Sequence, residues 1–375
     1  MSSITVILAI IAVLTAILFP HVSTTIDYFG VLKEIKHIND PTCQLISPEL
    51  FGCEDAQVHE SGLVFLACAK NLEERRAWWP PIDNFDTSVE SHSALTVFNL
   101  TSNESFELEL KGFKSEFSAH GLGILTNPSD PNQVLIAALN HKRSGSVVER
   151  FTYQLGSKHV DHVKTVKNSE LLYHPNDVVV TGVDTFYATN DLAYTGVLKE
   201  LEVFTRRPYG HVVFYDGEKM RIVARNIAYA NGISSSTDLS KIYVASACNQ
   251  QVTVYERKDN DGLRLLDVIQ LNAMADNLSV DIHTGDIYTL GVQNGLIAKK
   301  ASHDASVVCP SVGTKITINT DKDQFYGKKF KPEQLFYDNG EIVNFGSVFI
   351  SDSKFNKSFF SGLFTKGIYL CDHSF

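Results

Sequence analysis

The amino-acid sequence predicts an all-β protein, a six-bladed β-propeller with an N-terminal hydrophobic anchor segment. Six times along the chain a short polar cluster opens directly into an apolar strand, at intervals of about fifty residues. A repeat at this spacing is typical of propeller blades, in which each inner strand starts near the central axis. The clusters are Glu54-Asp55, His120-Gly121, Asn176-Asp177, Asn231-Gly232, Asp276-Asn277 and the weaker Gly346-Ser347.

The first element is an uncharged apolar run from Ile4 to Phe19, which Pro20 ends. The run is longer than the core of a signal peptide and shorter than a full membrane span. No Lys or Arg precedes it and no small-residue cleavage site follows, so the sequence favours an uncleaved signal anchor over a removed signal peptide. A buried first helix or strand is the third interpretation. Residues 1–20 are therefore predicted as the anchor or signal peptide, and residues 21–42 as a polar lead-in.

The composition restricts the class of protein. With 375 residues, 44% of them hydrophobic, the chain can build one large propeller domain, which we predict over residues 43–375. The formal net charge is −10 and no basic run occurs, which argues against nucleic acid as a partner. An excess of acidic residues also suits a protein that binds a hard cation.

Six cysteines fit an exported protein. Cys43 follows the apolar run and Cys371 lies near the C-terminus, so a bridge between them would close a ring that joins its first and last strands. We therefore predict the disulfide Cys43–Cys371. The remaining four cannot be paired from the sequence, and free buried thiols are the default expectation. These are Cys53, Cys68, Cys248 and Cys309.

Glycosylation sequons at Asn99, Asn103 and Asn356 agree with export. A fourth sequon starts at Asn277, inside a polar cluster, and should stay unmodified if that cluster is buried. We expect a protein of the secretory pathway that is either secreted or membrane-anchored, with its propeller lumenal or extracellular. Its N-terminus is the expected point of membrane or lipid contact.

Strand and turn signals alternate between the first and the last cysteine. No interior helix of strong period stands out, and SVVERFTYQL (146–155) fits either a strand or a helix. Two segments, 69–86 and 191–208, break the blade pattern. The first contains Trp78-Trp79-Pro80-Pro81 and reads as a long loop over one face, which acts as a lid, rests on a membrane or simply packs. The second is predicted as another insertion that covers a face.

Five oxygen-bearing side chains occupy the same place in their blades, at the start of the inner strand. Two acids and three amides suit calcium, which takes about six to eight oxygen ligands, whereas a tetrahedral metal would ask for sulfur and imidazole. Turn residues that satisfy backbone donors are the alternative explanation, and it weakens when five positions coincide. The predicted ligands are Glu54, Asn176, Asn231, Asp276 and Asn277.

The neighbouring residues Asp55 and Asp177 point to the other side of an extended backbone. We expect them to hold a second ion deeper in the channel, together with a backbone carbonyl such as that of Leu122. The predicted cofactor is therefore calcium, as two ions.

Two histidines belong to the second blade, His120 at the ligand-equivalent position and His141 after the following strand. An imidazole above a bound cation is well placed to take a proton from water, and a second imidazole could orient the first or relay its proton. The cation would polarise an ester carbonyl, and Asp191 could orient one of the rings. The sequence contains no GxSxG, HExxH, P-loop or dinucleotide motif.

At these residues the chain resembles the serum paraoxonase/arylesterase family, which are six-bladed calcium-dependent lactonases. The resemblance covers about residues 43–371, nearly the whole predicted propeller. Its most specific pieces are HPNDVVVTGVDTFYATND (174–191), YANGIS (229–234) and ADNLSVDIHTGDIY (275–288), supported by GCED (52–55) and GIYLC (367–371).

The resemblance implies a role for each site residue. His120 and His141 match the histidine dyad of the family, and Asp191 matches the acid of its TND motif. The family joins the cysteines that correspond to Cys43 and Cys371. It places a catalytic calcium on Glu54, Asn176, Asn231, Asp276 and Asn277, and a structural calcium on Asp55, Asp177 and the Leu122 carbonyl.

The chain also departs from the family pattern. Ala119 stands where the family has a proline before the first dyad histidine, and residues 292–295 read VQNG in place of a family HPNG turn. The segment 69–86, which contributes to the substrate mouth in relatives, is rewritten. We therefore expect the metal site to persist and the choice of substrate to be the chain's own.

Two functional hypotheses follow. The first is a carboxylic ester hydrolase, a calcium-dependent lactonase with arylesterase activity on a small-molecule lactone or aryl ester. The second is a non-catalytic, membrane-tethered propeller that uses calcium for stability. It would bind a partner through the segment 69–86, here called the tryptophan loop. The gluconolactonase group would give the first reaction on a sugar lactone, and the full five-ligand set disfavours a condensing propeller similar to strictosidine synthase. Replacement of His120 by alanine separates the two hypotheses.

Overall fold

The computed structural model describes residues 3–38, 40–322, 324 and 327–375. Within these residues the chain is mostly β, with several sheets and four α-helices. The helices are α1 (Ser3–Tyr28), α2 (Leu72–Ala77), α3 (Gly196–Phe204) and α4 (Gly295–His303).

The strands follow one another from the first cysteine to the last. In chain order they are β1 (Cys43–Val58), β2 (Leu63–Ala69), β3 (Trp78–Trp79), β4 (Asn84–Phe85), β5 (Ser93–Asn99), β6 (Glu104–Glu107), β7 (Glu109–Lys111), β8 (Ala119–Asn127), β9 (Asp130–Lys142), β10 (Gly145–Gln154), β11 (His159–Val166), β12 (Pro175–Val180), β13 (Phe186–Asn190), β14 (Gly210–Tyr215), β15 (Met220–Ile227), β16 (Ala230–Ser235), β17 (Lys241–Ser246), β18 (Gln251–Arg257), β19 (Leu263–Gln270), β20 (Met274–Val280), β21 (Ile287–Val292), β22 (Ser311–Ile318), β23 (Phe330–Asp338), β24 (Gly346–Asp352), β25 (Lys357–Gly362) and β26 (Lys366–Cys371).

The sheets are propeller-like. Three of them have four antiparallel strands in sequence order, β12 to β15, β16 to β19 and β20 to β23. A five-stranded sheet has the order β7-β11-β10-β9-β8, a seven-stranded sheet has the order β24-β25-β26-β1-β2-β5-β6, and β3 pairs with β4 alone. Four-stranded meanders of this kind are the building unit of a propeller blade.

The first strands of successive sheets contact one another in a closed series. β1 contacts β8, then β12, β16, β20 and β24 follow in turn, and β24 returns to β1. The apolar cores lie between neighbouring sheets; Leu135 and Leu139 of one sheet, for example, pack with Val178 and Phe186 of the next. Apolar burial therefore holds the sheets around a common centre, where the polar clusters at the strand starts meet.

β1 pairs with strands from both ends of the chain, β2 and β26. Its first residues pair with β26, with Cys43 opposite Cys371, and its last residues pair with β2. The pairing of β1 shifts register between Phe51 and Asp55, as expected where one strand bends from one partner to another. The structure contains the predicted disulfide between Cys43 and Cys371.

A second disulfide corrects the expectation of free thiols. Cys53 and Cys68 are bonded to each other, because β1 and β2 are antiparallel neighbours and the irregular stretch of β1 brings Cys53 opposite the end of β2. Among the described residues Cys248 and Cys309 are free and buried, as expected. Burial raises the pKa of the Cys248 thiol to about 12.

The interior helices were missed by the sequence prediction, which found none of strong period. α2, α3 and α4 have six to nine residues each, which is too short for a periodic pattern to stand out. Local caps mark two of them, since Asn71 and Asn294 accept hydrogen bonds from the first backbone N–H groups of α2 and α4. The ambiguous segment 146–155 lies largely in β10.

The N-terminal helix α1 extends past Pro20, where the sequence prediction ended the apolar segment. Its C-terminal end reaches the ring: Gly295 N donates to Phe29 O at 2.8 Å, and Asn294 Nδ2 donates to Gly30 O at 3.1 Å. Within the part of the chain that the structure describes, no helix combines the length and the hydropathy required of a membrane span.

Candidate active site

The polar clusters coincide with irregularities in the inner strands. Such a bulge turns consecutive side chains out of strict alternation, which lets adjacent polar residues both serve the central channel. The repeat in the sequence is therefore a repeated bulge. Register shifts occur between Ala119 and Leu122, Pro175 and Val178, Ala230 and Ile233, and Ala275 and Leu278.

Two glycines of the repeat allow the inner strands to approach one another. A Cβ atom on Gly121 would lie 2.4 Å from the Cα of Asp177, and one on Gly232 would lie 2.5 Å from the Cα of Asn277. Any larger residue would push these backbones apart. The glycines therefore bring the polar residues of neighbouring strands together at the centre.

The five predicted ligands of the first ion are here called the outer oxygen group. Asn277 Nδ2 donates to Glu54 O at 2.8 Å and to Glu54 Oε1 at 3.1 Å, and the side chains of Asn231 and Asp276 share a hydrogen bond. Burial and then the nearby charge of Glu54 raise the pKa of Asp276. The structure thus places carboxylates and amides from four different strands in one buried region.

Four oxygens of this group have no partner. Glu54 Oε2, Asn176 Oδ1, Asn231 Oδ1 and Asn277 Oδ1 are buried, and none accepts a hydrogen bond from the described residues. A buried polar atom without a partner costs about 1–3 kcal/mol. A hard cation would satisfy all four at once, so the donor set fits calcium.

The outer oxygen group differs from the usual clusters of metal-binding side chains. Among the described residues no group of three or more His, Cys, Asp and Glu side chains is arranged to hold a metal. Three of the five members of the outer oxygen group are asparagines, whose neutral carbonyl oxygens suit calcium and are poor ligands for softer metals.

Asp55 and Asp177, here called the inner carboxylate pair, have every oxygen occupied. Asp55 accepts from Ala56 N at 2.7 Å and Leu122 N at 2.6 Å, and Asp177 accepts from Val178 N and Ile233 N. Burial, followed by the charge of Asp177, raises the pKa of Asp55. Burial likewise raises the pKa of Asp177 to about 7.

The structure brings the two predicted histidines together. His120 Nδ1 lies 2.8 Å from His141 Nε2, and His120 Nε2 lies 3.3 Å from Glu54 Oε1. His141 Nδ1 lies 2.8 Å from the hydroxyl of Ser146. Burial and the charge of His120 lower the pKa of His141 well below its ordinary value, so this ring is neutral near pH 7. Ser146 carried no signal of its own in the sequence.

Asp191 lies beside the site without contacting the dyad. It accepts from Asn176 Nδ2 at 3.4 Å and its Oδ1 lies 3.9 Å from His174 Nδ1. Burial raises the pKa of its carboxyl. The hydrogen bonds of His120 and His141 go instead to each other, to Glu54 and to Ser146, so the orientation of a dyad ring by Asp191 stays a prediction.

The tryptophan loop packs onto the dyad from above. Trp79 makes edge contacts with His120 and His141 at ring-centre distances of 4.8 Å and 5.4 Å, and Trp78 Nε1 donates to His141 O at 2.9 Å. Both tryptophans are buried. Their rings therefore cover the site, and contact of the segment 69–86 with a membrane stays a prediction.

Arg75, a buried residue of the same segment, was not singled out from the sequence. The Arg75 guanidinium stacks on Trp79 at 3.8 Å, and its Nη2 approaches Ser93 and Ala119 O at 3.4 Å. Nε and Nη1 have no partner among the described residues. Burial lowers the pKa of Arg75 to about 10, so the side chain stays positively charged.

An apolar cavity of about 450 Å³ opens next to the outer oxygen group. Asn231 and Asp276 belong to its lining, whereas the dyad rings do not. Its apolar walls come from the end of α1, the tryptophan loop, α3 and α4, through residues such as Phe29, Ile82, Val203, Phe204 and Leu296. The cavity therefore meets the site at its oxygen donors.

The two predicted insertions both cover this cavity and are joined to each other. Lys199 Nζ of α3 donates to Pro81 O at 2.7 Å and lies 3.4 Å from Asp83 Oδ2. Asn84 Nδ2 donates to Ser302 O of α4 at 3.2 Å. The segments 69–86 and 191–208 are therefore bonded to each other and together cover the cavity.

Comparison with known proteins gives a consistent result. The family model described as Arylesterase matches residues 34–372. Serum paraoxonase/lactonase 3 of Oryctolagus cuniculus is 34% identical over 271 residues, 72% of this chain and 74% of that protein. Serum paraoxonase/arylesterase 1 of Mus musculus is 30% identical over 293 residues, 77% of this chain and 80% of that protein.

A solved structure shares the fold at low sequence identity. A luciferin-regenerating enzyme superposes with a TM-score of 0.51 and 13% identity, over 88% of this chain and 95% of the other. At that identity the likeness concerns the architecture of the sheets alone.

Proposed function

The chain belongs to the arylesterase family, and we propose that it acts as a calcium-dependent hydrolase that opens lactones and cleaves aryl esters. It is thus a carboxylic ester hydrolase. The observation that carries the calcium requirement is the set of four buried oxygens without partners, on Glu54, Asn176, Asn231 and Asn277. They lie beside a buried histidine pair and an apolar cavity.

In this proposal two calcium ions are bound. Bound calcium at the first site would polarise the ester carbonyl and stabilise negative charge on its oxygen. The outer oxygen group holds that catalytic ion, and the inner carboxylate pair with the Leu122 carbonyl holds a structural ion. Burial raises the pKa of both inner carboxyls, and at Asp55 the charge of Asp177 adds to this effect, so a cation between them would stabilise their ionised forms.

The protein's own residues move the proton. His120 presents Nε2 toward the site and accepts a proton from the attacking water. His141 fixes the ring of His120 through the hydrogen bond between Nδ1 and Nε2. Asp191 contacts the Asn176 amide, and we propose that it orients this ligand as the acid of the site. The buried rings of Trp78 and Trp79 exclude water from the dyad.

The finer description of the fold and location belongs to the same proposal. We propose six blades, in which the seven-stranded sheet supplies two: the first half of β1 would join β24 to β26, and its second half would join β2, β5 and β6. The N-terminal segment serves as a signal anchor or signal peptide and contacts membrane or lipid. Asn103 and Asn356 are exposed and Asn99 is partly exposed, which supports glycosylation there, whereas Asn277 is buried.

The test is hydrolysis of a panel of δ- and γ-lactones and phenyl acetate, with calcium and with excess chelator. We expect calcium-dependent turnover, and we expect His120→Ala to abolish it while His283→Ala, at an exposed histidine, leaves it unchanged. Full activity of His120→Ala would overturn the assignment of the base. Absence of turnover on every substrate would favour the non-catalytic binding module.

The burial of both tryptophans weakens that alternative. It used the tryptophan loop to bind a partner, and both tryptophans are buried against the site. No other feature of the described chain favours it over hydrolysis.

A further inference from the structure

A line of hydrogen bonds leads from the site toward solvent. His120 Nδ1 lies 2.8 Å from His141 Nε2, and His141 Nδ1 lies 2.8 Å from Ser146 Oγ. The two rings are 3% and 2% exposed, whereas Ser146 is only partly buried. The line therefore begins at the buried site and ends at the protein surface.

The hairpin between β9 and β10 creates this exit. Ser146 stands directly opposite His141 in the pairing of the two strands, so its hydroxyl faces the imidazole. The charged neighbours on the hairpin are engaged elsewhere: Lys142 Nζ lies 3.7 Å from Glu149, and Arg143 lies 3.5 Å from Glu116. Within the described chain His141 is thus the hydrogen-bond partner of the Ser146 hydroxyl, and Ser146 is only partly buried.

The proposed reaction needs such an exit. In hydrolysis the attacking water loses a proton and the oxygen of the departing alcohol gains one, so protons must both leave and enter the buried site in each turnover. The walls of the cavity are mainly apolar. Trp79 covers both rings of the dyad from above.

The hydrogen bonds can carry a proton without leaving a charge behind. His120 accepts a proton at Nε2 and gives its Nδ1 proton to His141 Nε2. His141 gives its Nδ1 proton to Ser146 Oγ, and Ser146 releases its own hydroxyl proton to water. One proton enters at His120 and one leaves at Ser146. Transfer in the reverse direction then delivers a proton from solvent to the oxygen of the departing alcohol and restores the starting tautomers.

We propose that Ser146 is the outer end of a proton relay, Ser146–His141–His120, that exchanges protons between the hydrolytic site and solvent. Ser146 acts through His141 and is therefore a positioning residue. The inference rests on the hydrolase function proposed above and adds to it the path by which the proton leaves.

The test is Ser146→Ala, with Ser146→Thr as the variant that keeps a hydroxyl and Ser144→Ala as the control at an exposed serine of the same hairpin. At low buffer concentration we expect kcat of Ser146→Ala to fall about 10-fold, less than the 10²–10⁴-fold contribution of an acid–base group itself. KM should stay unchanged. Ser146→Thr and Ser144→Ala should retain kcat.

Chemical rescue distinguishes a relay from a structural role. Rising imidazole concentration should restore kcat of Ser146→Ala and leave the wild type unaffected, because a small buffer base replaces the missing hydroxyl as proton carrier. A loss in Ser146→Ala that imidazole does not restore, or no loss at all, overturns the relay. Inactivity of the wild type on every ester would instead overturn the hydrolase function.

A measurement on the wild type protects the test against a variant that fails to fold. In mixtures of H₂O and D₂O, a relay that moves several protons in the slow step gives a curved dependence of kcat on the deuterium fraction. A straight line, which indicates a single moving proton, would overturn the relay.

Discussion

The outer oxygen group and the inner carboxylate pair lie one residue apart in sequence and differ completely in how their oxygens are used. In the outer group four buried oxygens have no partner among the described residues. In the inner pair, Asp55 and Asp177 each accept two backbone N–H bonds. The same repeat of the chain thus produces one unsatisfied site and one whose oxygens are already bonded to the backbone.

The difference shows that position on a strand start does not decide the role of a residue. Backbone N–H groups fix the inner carboxylates in place and link neighbouring inner strands, since Leu122 and Ile233 belong to strands other than those of the acids they contact. The outer group leaves its oxygens free for a cation. We therefore expect the outer group to control activity and the inner pair to control stability.

The largest effect should come from the outer group. Glu54→Gln removes its charge while keeping its shape, and we expect lactone hydrolysis to fall about 10²–10³-fold, the range for loss of one stabilising group at a reacting carbonyl. Glu60→Gln, at an exposed glutamate nearby, is the control. Steady-state kinetics in saturating calcium measures the effect. Wild-type activity in Glu54→Gln would place the catalytic ion elsewhere.

The inner pair should respond in stability instead. Calcium binds the folded ring and not the unfolded chain, so a 100-fold excess over Kd should stabilise the wild type by about 2.7 kcal/mol per site. Asp177→Asn should lose much of the rise in Tm between excess chelator and calcium, and Asp184→Asn, at an exposed position, should keep it. An identical melting curve of the wild type with and without calcium would remove the structural ion.

A pH dependence should appear when calcium is absent. The folded protein raises the pKa of Asp55 and brings that of Asp177 to about 7, whereas the unfolded chain titrates near pH 4. The folded state then binds more protons between these values, so this contribution to stability is present at low pH and is lost as pH rises toward 7. Denaturation in chelator at pH 5 and pH 8, for wild type and Asp177→Asn, isolates it. Equal pH slopes in both proteins would contradict the prediction.

The smallest effect concerns a residue that joins the two regions. Thr189 Oγ1 donates to Asn231 O at 2.7 Å and accepts from Asp177 N at 3.0 Å. Thr189→Val should cost about 1 kcal/mol for each of the two lost hydrogen bonds and lower both calcium affinity and activity slightly. Thr253→Val, at a buried threonine of another strand, is the control, and urea denaturation measures both. If Thr253→Val lowered calcium affinity and activity more than Thr189→Val does, Thr189 would have no special role in linking the outer oxygen group to the inner carboxylate pair.

Much of the site could be predicted because it repeats. The oxygen donors lie at the starts of four inner strands, so their convergence follows from the ring, and His120 was visible because it stands at the start of another inner strand. Cys43 and Cys371 were equally visible, since a closed ring must join its ends. Each of these residues is fixed by the architecture and not by a particular side-chain contact.

The features that the sequence did not predict depend on contacts between particular residues, and a repeating sequence pattern does not encode such contacts. Ser146 matters because a hairpin places it opposite His141, and Arg75 and Trp79 matter because an irregular insertion folds back over the dyad. Three pairings of four cysteines are open in a sequence, and only the bend in β1 selects Cys53 with Cys68. Tertiary placement decides all of these.

The strand β1 has a consequence for biosynthesis. Its first half needs β26 as a partner, and the two bonded cysteines are separated by 328 residues. At about 5–20 residues per second of synthesis, Cys43 waits on the order of 16–66 s before Cys371 is made. Cys68 follows Cys53 within a few seconds. The ring can therefore close only after Cys371 has been synthesised, while Cys43 must meanwhile avoid bonding to the cysteines that are made before its partner.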